Sequence, residues 1–439
     1  MSHITFTRSI VAALLLLSLP CGAIRPAASA SSTSPTAASL AGLLKERRYL
    51  EFEQLLSEPN DLSPTDRNFY LGILSACKNR PTESLRLLEP LLISRQPTPL
   101  TAEQQKTGWL ALADDYSKTC QYGKSADAAG YVLKQFPDLL TDDEKTSIDG
   151  DREGTILMKD FPAETVDISG PFTLQSKRDP VGLIEGPVVV AGNRVSAVFD
   201  TGADTTVLTV SVARQLGCKI VAGSAPAVGA AGDTFQAQMA LIPTLRIGSA
   251  VFHNVASAVF DDKLLYISQV PYQIPMIVGY PEIAALGRVT FYADGRIGQG
   301  VQQGDPGAEM FLIGNKPLIV ARTGKGLRLF NLDTGAPGTL LYNLYWQENR
   351  EAFVGKTPTP YRVLGAGGSH VAEAFNGCEV SLGFGSRRVI LHHVSVLTGP
   401  HNTDAREFFY GNLGQDLLLP LRSWTLDLRA MRFVIDPGN

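Results

Sequence analysis

The sequence predicts a multidomain chain, with an N-terminal all-α helical-repeat region followed by an all-β part built from two lobes. Three observations predict it. Over residues 40–157 apolar residues recur at spacings of three and four, Glu and Lys are frequent and Gly is scarce, the pattern of amphipathic helices. After about residue 160 Gly becomes common. Short β-branched runs then appear between turn signals, at Val188–Val190, Val195–Phe199, Leu245–Ile247 and Val289–Tyr292. Within that second part four landmarks occur twice in the same order. A chain of 439 residues is also too long for one hydrophobic core. The expected boundaries are 1–30, 31–160, 161–303 and 304–439.

Residues 1–30 read as a secretory signal and the start of a linker. Arg8 supplies the positive flank, and Ile10 to Leu19 is an almost unbroken apolar run ended by Pro20. Ten residues fall short of the ~20 that a membrane-spanning helix needs. Cleavage fits after Ala23 or after Ala30. Cys21 is a candidate lipid-attachment cysteine, although Pro20 before it suits that processing poorly. No later run has the length of a membrane span, so the mature protein is expected to be exported, periplasmic or secreted, with no integral membrane segment. Residues 25–39, rich in Ala, Ser, Thr and Pro, read as a flexible linker.

Charged residues make up 19% of the chain and the net charge is −4, so no basic stripe offers itself to phosphates and no nucleic-acid partner is expected. The five Cys and six His are scattered, which disfavours a metal site built from them, and no cofactor or metal is expected. Cys77 and Cys120 lie in the same helical stretch. They are candidates either for a disulfide or for free buried thiols.

In the helical part Trp109, Leu112, Ala113 and Tyr116 share one face. Ala126, Ala129 and Val132 share the next, and Pro137 closes the unit. Leu71, Gly72, Leu88 and Leu91 give a fainter copy upstream. Pro64 and Thr101 stand where helices would start. The spacing resembles a tetratricopeptide helix–turn–helix repeat. Such a region could recruit a protein partner, serve as a propeptide or act as a spacer.

The repeated landmarks lie beyond residue 160. An apolar strand runs into Asp200-Thr201-Gly202-Ala203, and another into Asp333-Thr334-Gly335-Ala336. A Gly-rich turn follows, with Gly229 and Gly232 in the first copy and Gly365 and Gly367 in the second. A strand then ends in Gly248 or Gly383. Last comes Ile277-Val278-Gly279 or Asn412-Leu413-Gly414. The steps from Asp200 to Asp333, Gly229 to Gly365, Gly248 to Gly383 and Gly279 to Gly414 are 133, 136, 135 and 135 residues. Such constant spacing over about 80 positions points to tandem duplication.

These residues resemble the retropepsin-like aspartic protease lobe. Two copies in one chain resemble the pepsin-like bilobal arrangement, over about residues 165–439. The first copy continues in the family style through Asp204-Thr205-Thr206-Val207-Leu208. The second departs, with Pro337-Gly338-Thr339 after Ala336 and Asn412 in a normally apolar place. The resemblance implies a bilobal aspartic-protease fold and an aspartic endopeptidase, in which Asp200 and Asp333 are catalytic and act on a peptide or protein substrate. It implies that Thr201 and Thr334 tie the two loops together and that Gly279 and Gly414 mark equivalent points in the lobes. It also suggests that the Gly-rich turns cover the substrate as flaps, where the plainer reading is exposed hairpins.

The chemistry needs these residue types. Two close carboxylates cannot both ionise easily, so they share a proton. The ionised one draws a proton from water while the protonated one polarises the scissile carbonyl. Gly202 and Gly335 let the backbone turn and bring N–H groups near the carboxylates. Ala203 and Ala336 carry no hydroxyl to stabilise the charge, which predicts a pH optimum less acidic than pepsin's. Competing chemistries find no support. There is no His-Glu-x-x-His and no Gly-x-Ser-x-Gly, and the adjacent His392 and His393 should point to opposite faces of a strand. The alternative function is a non-catalytic protein that holds peptides between the lobes and partners through its helices.

Overall fold

A computed structural model describes residues 34–94, 99–229, 234–300, 304–365, 368–399 and 408–438. The signal-like segment, Gly232 and Gly367 lie outside the described residues. Seven helices come first: α1 (Pro35–Lys45), α2 (Tyr49–Ser57), α3 (Pro64–Cys77), α4 (Pro81–Leu92), α5 (Ala102–Lys118), α6 (Tyr122–Gln135) and α7 (Asp142–Leu157). Among the described residues no helix is long and apolar enough to cross a membrane.

Local chemistry sets the helix starts. Ser63 accepts the Asp66 N–H ahead of Pro64, and Thr101 and Thr141 each form a reciprocal capping box, with Gln104 and Glu144. Ser34 caps α1 in the same way, with Pro35 at its first position. The linker expected over 25–39 is therefore overturned from Ser34 onward, because Ser-Pro there is a helix start rather than a flexible spacer.

Each helix from α3 to α7 packs on the next. Leu112 and Tyr116 of α5 are buried, as are Ala126, Ala129 and Val132 of α6. Gly72 lies where α4 comes closest to α3, since a Cβ there would sit 2.6 Å from the Leu88 side chain. All four described cysteines are free thiols, so Cys77 and Cys120 are not bridged. Burial pushes the Cys77 thiol up to about 12, while the Cys120 Sγ accepts the Glu164 N–H.

Residues 165–278 supply the strands of one large sheet. The strands from Arg288 onward, with Thr173–Gln175, form another. In the first, the strand Met276–Val278 lies between Asn193–Phe199, to which it is parallel, and Thr206–Thr209, to which it is antiparallel. In the second, Gly411–Leu413 lies between Gly326–Leu332, parallel, and Leu340–Leu341, antiparallel. The strands Asn193–Phe199 and Gly326–Leu332 both pass from exposed to fully buried over their last three residues, just before each Asp. The two sequence halves are also stitched together: Arg288–Tyr292 pairs with Ser423–Asp427, the Phe291 and Trp424 rings stack at 4.0 Å, and Arg288 forms an ion pair with Asp427.

The helices do not stand apart from the strands. Ser34–Asn439 forms one compact unit, and the core of α1–α5 includes Phe311, Leu318 and Val320 from the strands Ala308–Ile313 and Lys316–Thr323. Tyr49 meets the Phe311 ring at 6.0 Å, and the Lys78 ammonium lies 3.8 Å above it. Each fully buried aliphatic or aromatic side chain contributes about 1.5–3 kcal/mol, so cutting the helices away would strip cover from the strands beneath.

The adjacent His392 and His393 do not point to opposite faces. His393 has φ 62° within a stretch of shifted register, and both rings are exposed between buried Leu391 and Val394. The extra residue of this bulge turns both outward.

Candidate active site

Each Asp-Thr-Gly loop leaves the end of a buried strand and crosses to the other. The Thr201 N–H donates to Thr334 Oγ1 at 2.9 Å, and the Thr334 N–H donates to Thr201 Oγ1 at 3.1 Å. Thr201 Oγ1 donates to the Leu332 carbonyl at 2.6 Å, and Thr334 Oγ1 donates to the Phe199 carbonyl at 2.8 Å. Both threonines are completely buried. Four hydrogen bonds in a dry place fix the loops against each other, because breaking any one would orphan a buried polar group.

This crossing brings Asp200 and Asp333 together, each carboxyl packed against the glycine of the other loop and raised or lowered by the other carboxyl. The Gly202 N–H donates to Asp200 Oδ1 at 2.8 Å and the Gly335 N–H donates to Asp333 Oδ1 at 3.0 Å. Neither glycine has a positive φ. What demands glycine is proximity: a Cβ on Gly202 would lie 2.5 Å from Asp333 Oδ1, and one on Gly335 would overlap the Asp200 carboxyl. Ala203 and Ala336 complete the loops, each donating its N–H back to the carbonyl of its own aspartate.

Burial raises both carboxyls above the usual range. Asp333 is pushed up to about 8, first by burial and then by the charge of Asp200, while N–H groups of its own loop pull the other way. Burial also raises Asp200, opposed by the N–H groups of Gly202 and Gly335. Both shifts work against two full charges side by side.

Gly279 and Gly414 pack behind the loops. A Cβ on Gly279 would lie 2.5 Å from the Thr205 carbonyl carbon, and one on Gly414 would lie 2.8 Å from the Ala336 oxygen. The Gly279 N–H donates to Thr206 Oγ1, which donates to the buried Glu282. The Gly414 N–H donates to Thr339 Oγ1, which donates to Asp416. The departure Pro337-Gly338-Thr339 therefore still supplies, through Thr339, a hydroxyl in the place of Thr206's. Thr339 stands six residues after Asp333, as Thr206 stands six after Asp200, and that equal step was available in the sequence.

Gly229 follows the strand Ala225–Val228, which pairs with Thr234–Ile247 in a hairpin. Gly365 ends Thr359–Gly365, which pairs with Gly368–Phe384 in another. Val228 and Val371 are 72% and 62% exposed, so both hairpins carry apolar side chains into solvent.

Sequence reasoning missed three residues. Asn412 donates to Asp333 Oδ2 at 3.3 Å and accepts from Asn331 at 3.0 Å, so the odd residue in an apolar place is a carboxylate donor. Gln415 donates to the Thr334 carbonyl at 2.6 Å and accepts from Arg178 at 2.5 Å. Asn315 donates to the Asp204 carbonyl at 2.8 Å, joining the first loop to a turn in the second half. Among the described residues no group of three or more His, Cys, Asp or Glu is placed to hold a metal ion.

Comparison with curated proteins gives no match. Residues 186–281 match the family model described as aspartyl protease. That span holds Asp200-Thr201-Gly202, the hairpin of Gly229 and the close-packed Gly279, and it ends before the second Asp-Thr-Gly loop. The family match and the first of the two crossed loops fall on the same residues, and together they support a peptidase-type function.

Proposed function

We propose that the chain is an aspartic endopeptidase whose two β-rich halves are the lobes of one bilobal fold, each supplying one catalytic Asp. The observation that carries this reading is the pair of mutually bonded Asp-Thr-Gly loops, which pack the carboxyls of Asp200 and Asp333 each against the glycine of the other loop. In this reading one carboxylate takes a proton from water as it attacks the peptide carbonyl, and the other carboxyl donates to the carbonyl oxygen. The substrate lies extended between the loops and the two hairpins, held by main-chain bonds. The pattern of residues 1–30 suits action outside the cytoplasm. Cleavage of a diverse peptide library by the purified protein, blocked by a statine-type transition-state analogue, is the expected result. A library left intact between pH 3 and 8 would favour the non-catalytic cradle.

The pH profile tests the dyad further. Activity needs one shared proton, so the rate should fall on the alkaline side as the upper dyad pKa, near 8, is passed. Asn412 donates to Asp333 and favours its charged form. Removing that donor should raise the upper pKa and carry the alkaline limb about one unit higher, because a hydrogen bond to a charged group contributes about 1.5–3 kcal/mol. The double variant Asn331→Leu/Asn412→Leu removes both amides and leaves neither unpartnered. An alkaline limb that stays put or moves down in this variant speaks against the assignment.

A further inference from the structure

The last helix before the strands, α7, has an unusual position. Three structures matter for its role. One is the hairpin of Gly229, whose first strand is Ala225–Val228. One is the Asp204 loop itself. The third is the turn at Asn315 and Lys316, which reaches over from the other sequence half and bonds the Asp204 carbonyl. Helix α7 packs on the hairpin, and its end shares with Ala203 of the first loop one apolar cluster. Gly150 faces the hairpin so closely that a Cβ would sit 3.3 Å from Pro226 Cγ. The Leu157 Cδ2 atom lies 3.1 Å from where a Cβ on Gly223, at the foot of the hairpin, would stand.

Both ends of α7 are tied down. Its start follows α6, on which it packs. Its end runs through Leu157, Met158 and Phe161, which pack against the apolar cluster of Val198, Val207 and Met239. The chain beyond is fastened by the Cys120 Sγ bond to the Glu164 N–H and by Asn254 donating to the Ala163 carbonyl. It then enters the sheet as Thr165–Ile168, paired with the strand Ala250–Phe260. The helix is a wall held at both ends, in contrast to a flap hinged at one.

In the proposed function a peptide lies across Asp200 and Asp333 beneath the hairpin on which α7 packs. We propose that α7 closes one end of the substrate channel and limits how many residues a substrate can carry on one side of the scissile bond. The class of substrate is then a peptide or an unfolded chain terminus cut a short, fixed distance from its end, rather than an internal segment of a folded protein. This rests on the aspartic-peptidase reading, which fixes where the scissile bond lies.

A ladder of peptides tests it, sharing one scissile sequence and extended residue by residue on either side. The full-length protein should lose at least tenfold in kcat/KM beyond a fixed length on one side, and lose little on the other. The same ladder, fluorescently labelled, is titrated against the Asp333→Asn protein. An asymmetric length limit in binding supports the stop even where no peptide is cleaved, in which case the catalytic reading alone fails. Leu157→Ala, which loosens the contact with the hairpin, should relax the limit and leave the rate on short peptides unchanged. Equal tolerance on both sides in cleavage and binding, or no binding at any length, would overturn the proposal. Faster cutting of every length by Leu157→Ala would also overturn it, because that marks α7 as an inhibitor of all substrates.

Discussion

Replacing Asp200 or Asp333 by Asn is expected to lower kcat/KM on peptides by on the order of 10³-fold or more while the fold persists. Proton transfer by a placed carboxyl contributes ~10²–10⁴-fold, and in the proposed mechanism each carboxyl also sets the proton on the other, so neither acts alone. Asn fills the same space and still accepts the loop N–H groups of Gly202 or Gly335. A stability measurement separates loss of chemistry from loss of fold. Asp333 has a folded-state pKa near 8, far above the ordinary Asp value, so its contribution to stability is fully present below the unfolded pKa and is lost as pH rises through 8. Asp333→Asn should therefore melt higher than the parent at pH 7–8, and the gap should close toward pH 4. An active Asn variant would exclude the dyad. An inactive one that melts far lower at every pH would show only that the loop had collapsed.

The legible parts of this site are those carried by contiguous residues. Asp-Thr-Gly-Ala reads directly because an apolar strand, a carboxylate and a glycine follow each other along the chain. The recurrence at a constant step of about 135 residues marks both loops at once. Helix starts at Pro64 and Thr101 were equally readable, since their caps lie within four residues. Bonds that close over long separations were not. Asn412 meets Asp333 across 79 residues, Arg178 meets Gln415 across 237, and Asn315 meets Asp204 across 111, and no local pattern predicts such partners. The attachment of the helices was also hidden. Phe311 and Leu318 look like ordinary strand core in the sequence, although the residues that cover them come from α1–α5. Ser34-Pro35 was misread because Ser and Pro signal both linkers and helix starts, and only the Leu40, Leu43 and Leu44 that follow decide between them.

The Gly335→Ala substitution should have the second large effect, and it tests the geometry apart from the ionisation. Its Cβ would enter the space of the Asp200 carboxyl group. The neighbouring loop cannot retreat, because Thr334 beside it is fully buried and bonded through its N–H, its hydroxyl and its carbonyl, to Thr201, Phe199 and Gln415. The strain must fall on Asp200, whose carboxyl would swing away from Asp333 and from the Gly202 N–H. Overpacking of this kind costs about 1–3 kcal/mol of stability. The larger loss is catalytic: a reacting carboxyl displaced by about 1 Å forfeits ~10²-fold in rate. Gly338, three residues further along, provides the control, since a Cβ there meets nothing within 4 Å. Gly338→Ala should therefore match the parent in rate and melting temperature. If Gly335→Ala cleaves peptides as fast as Gly338→Ala, the two carboxyls are not held together by close packing of the loops, and the dyad loses its geometric basis.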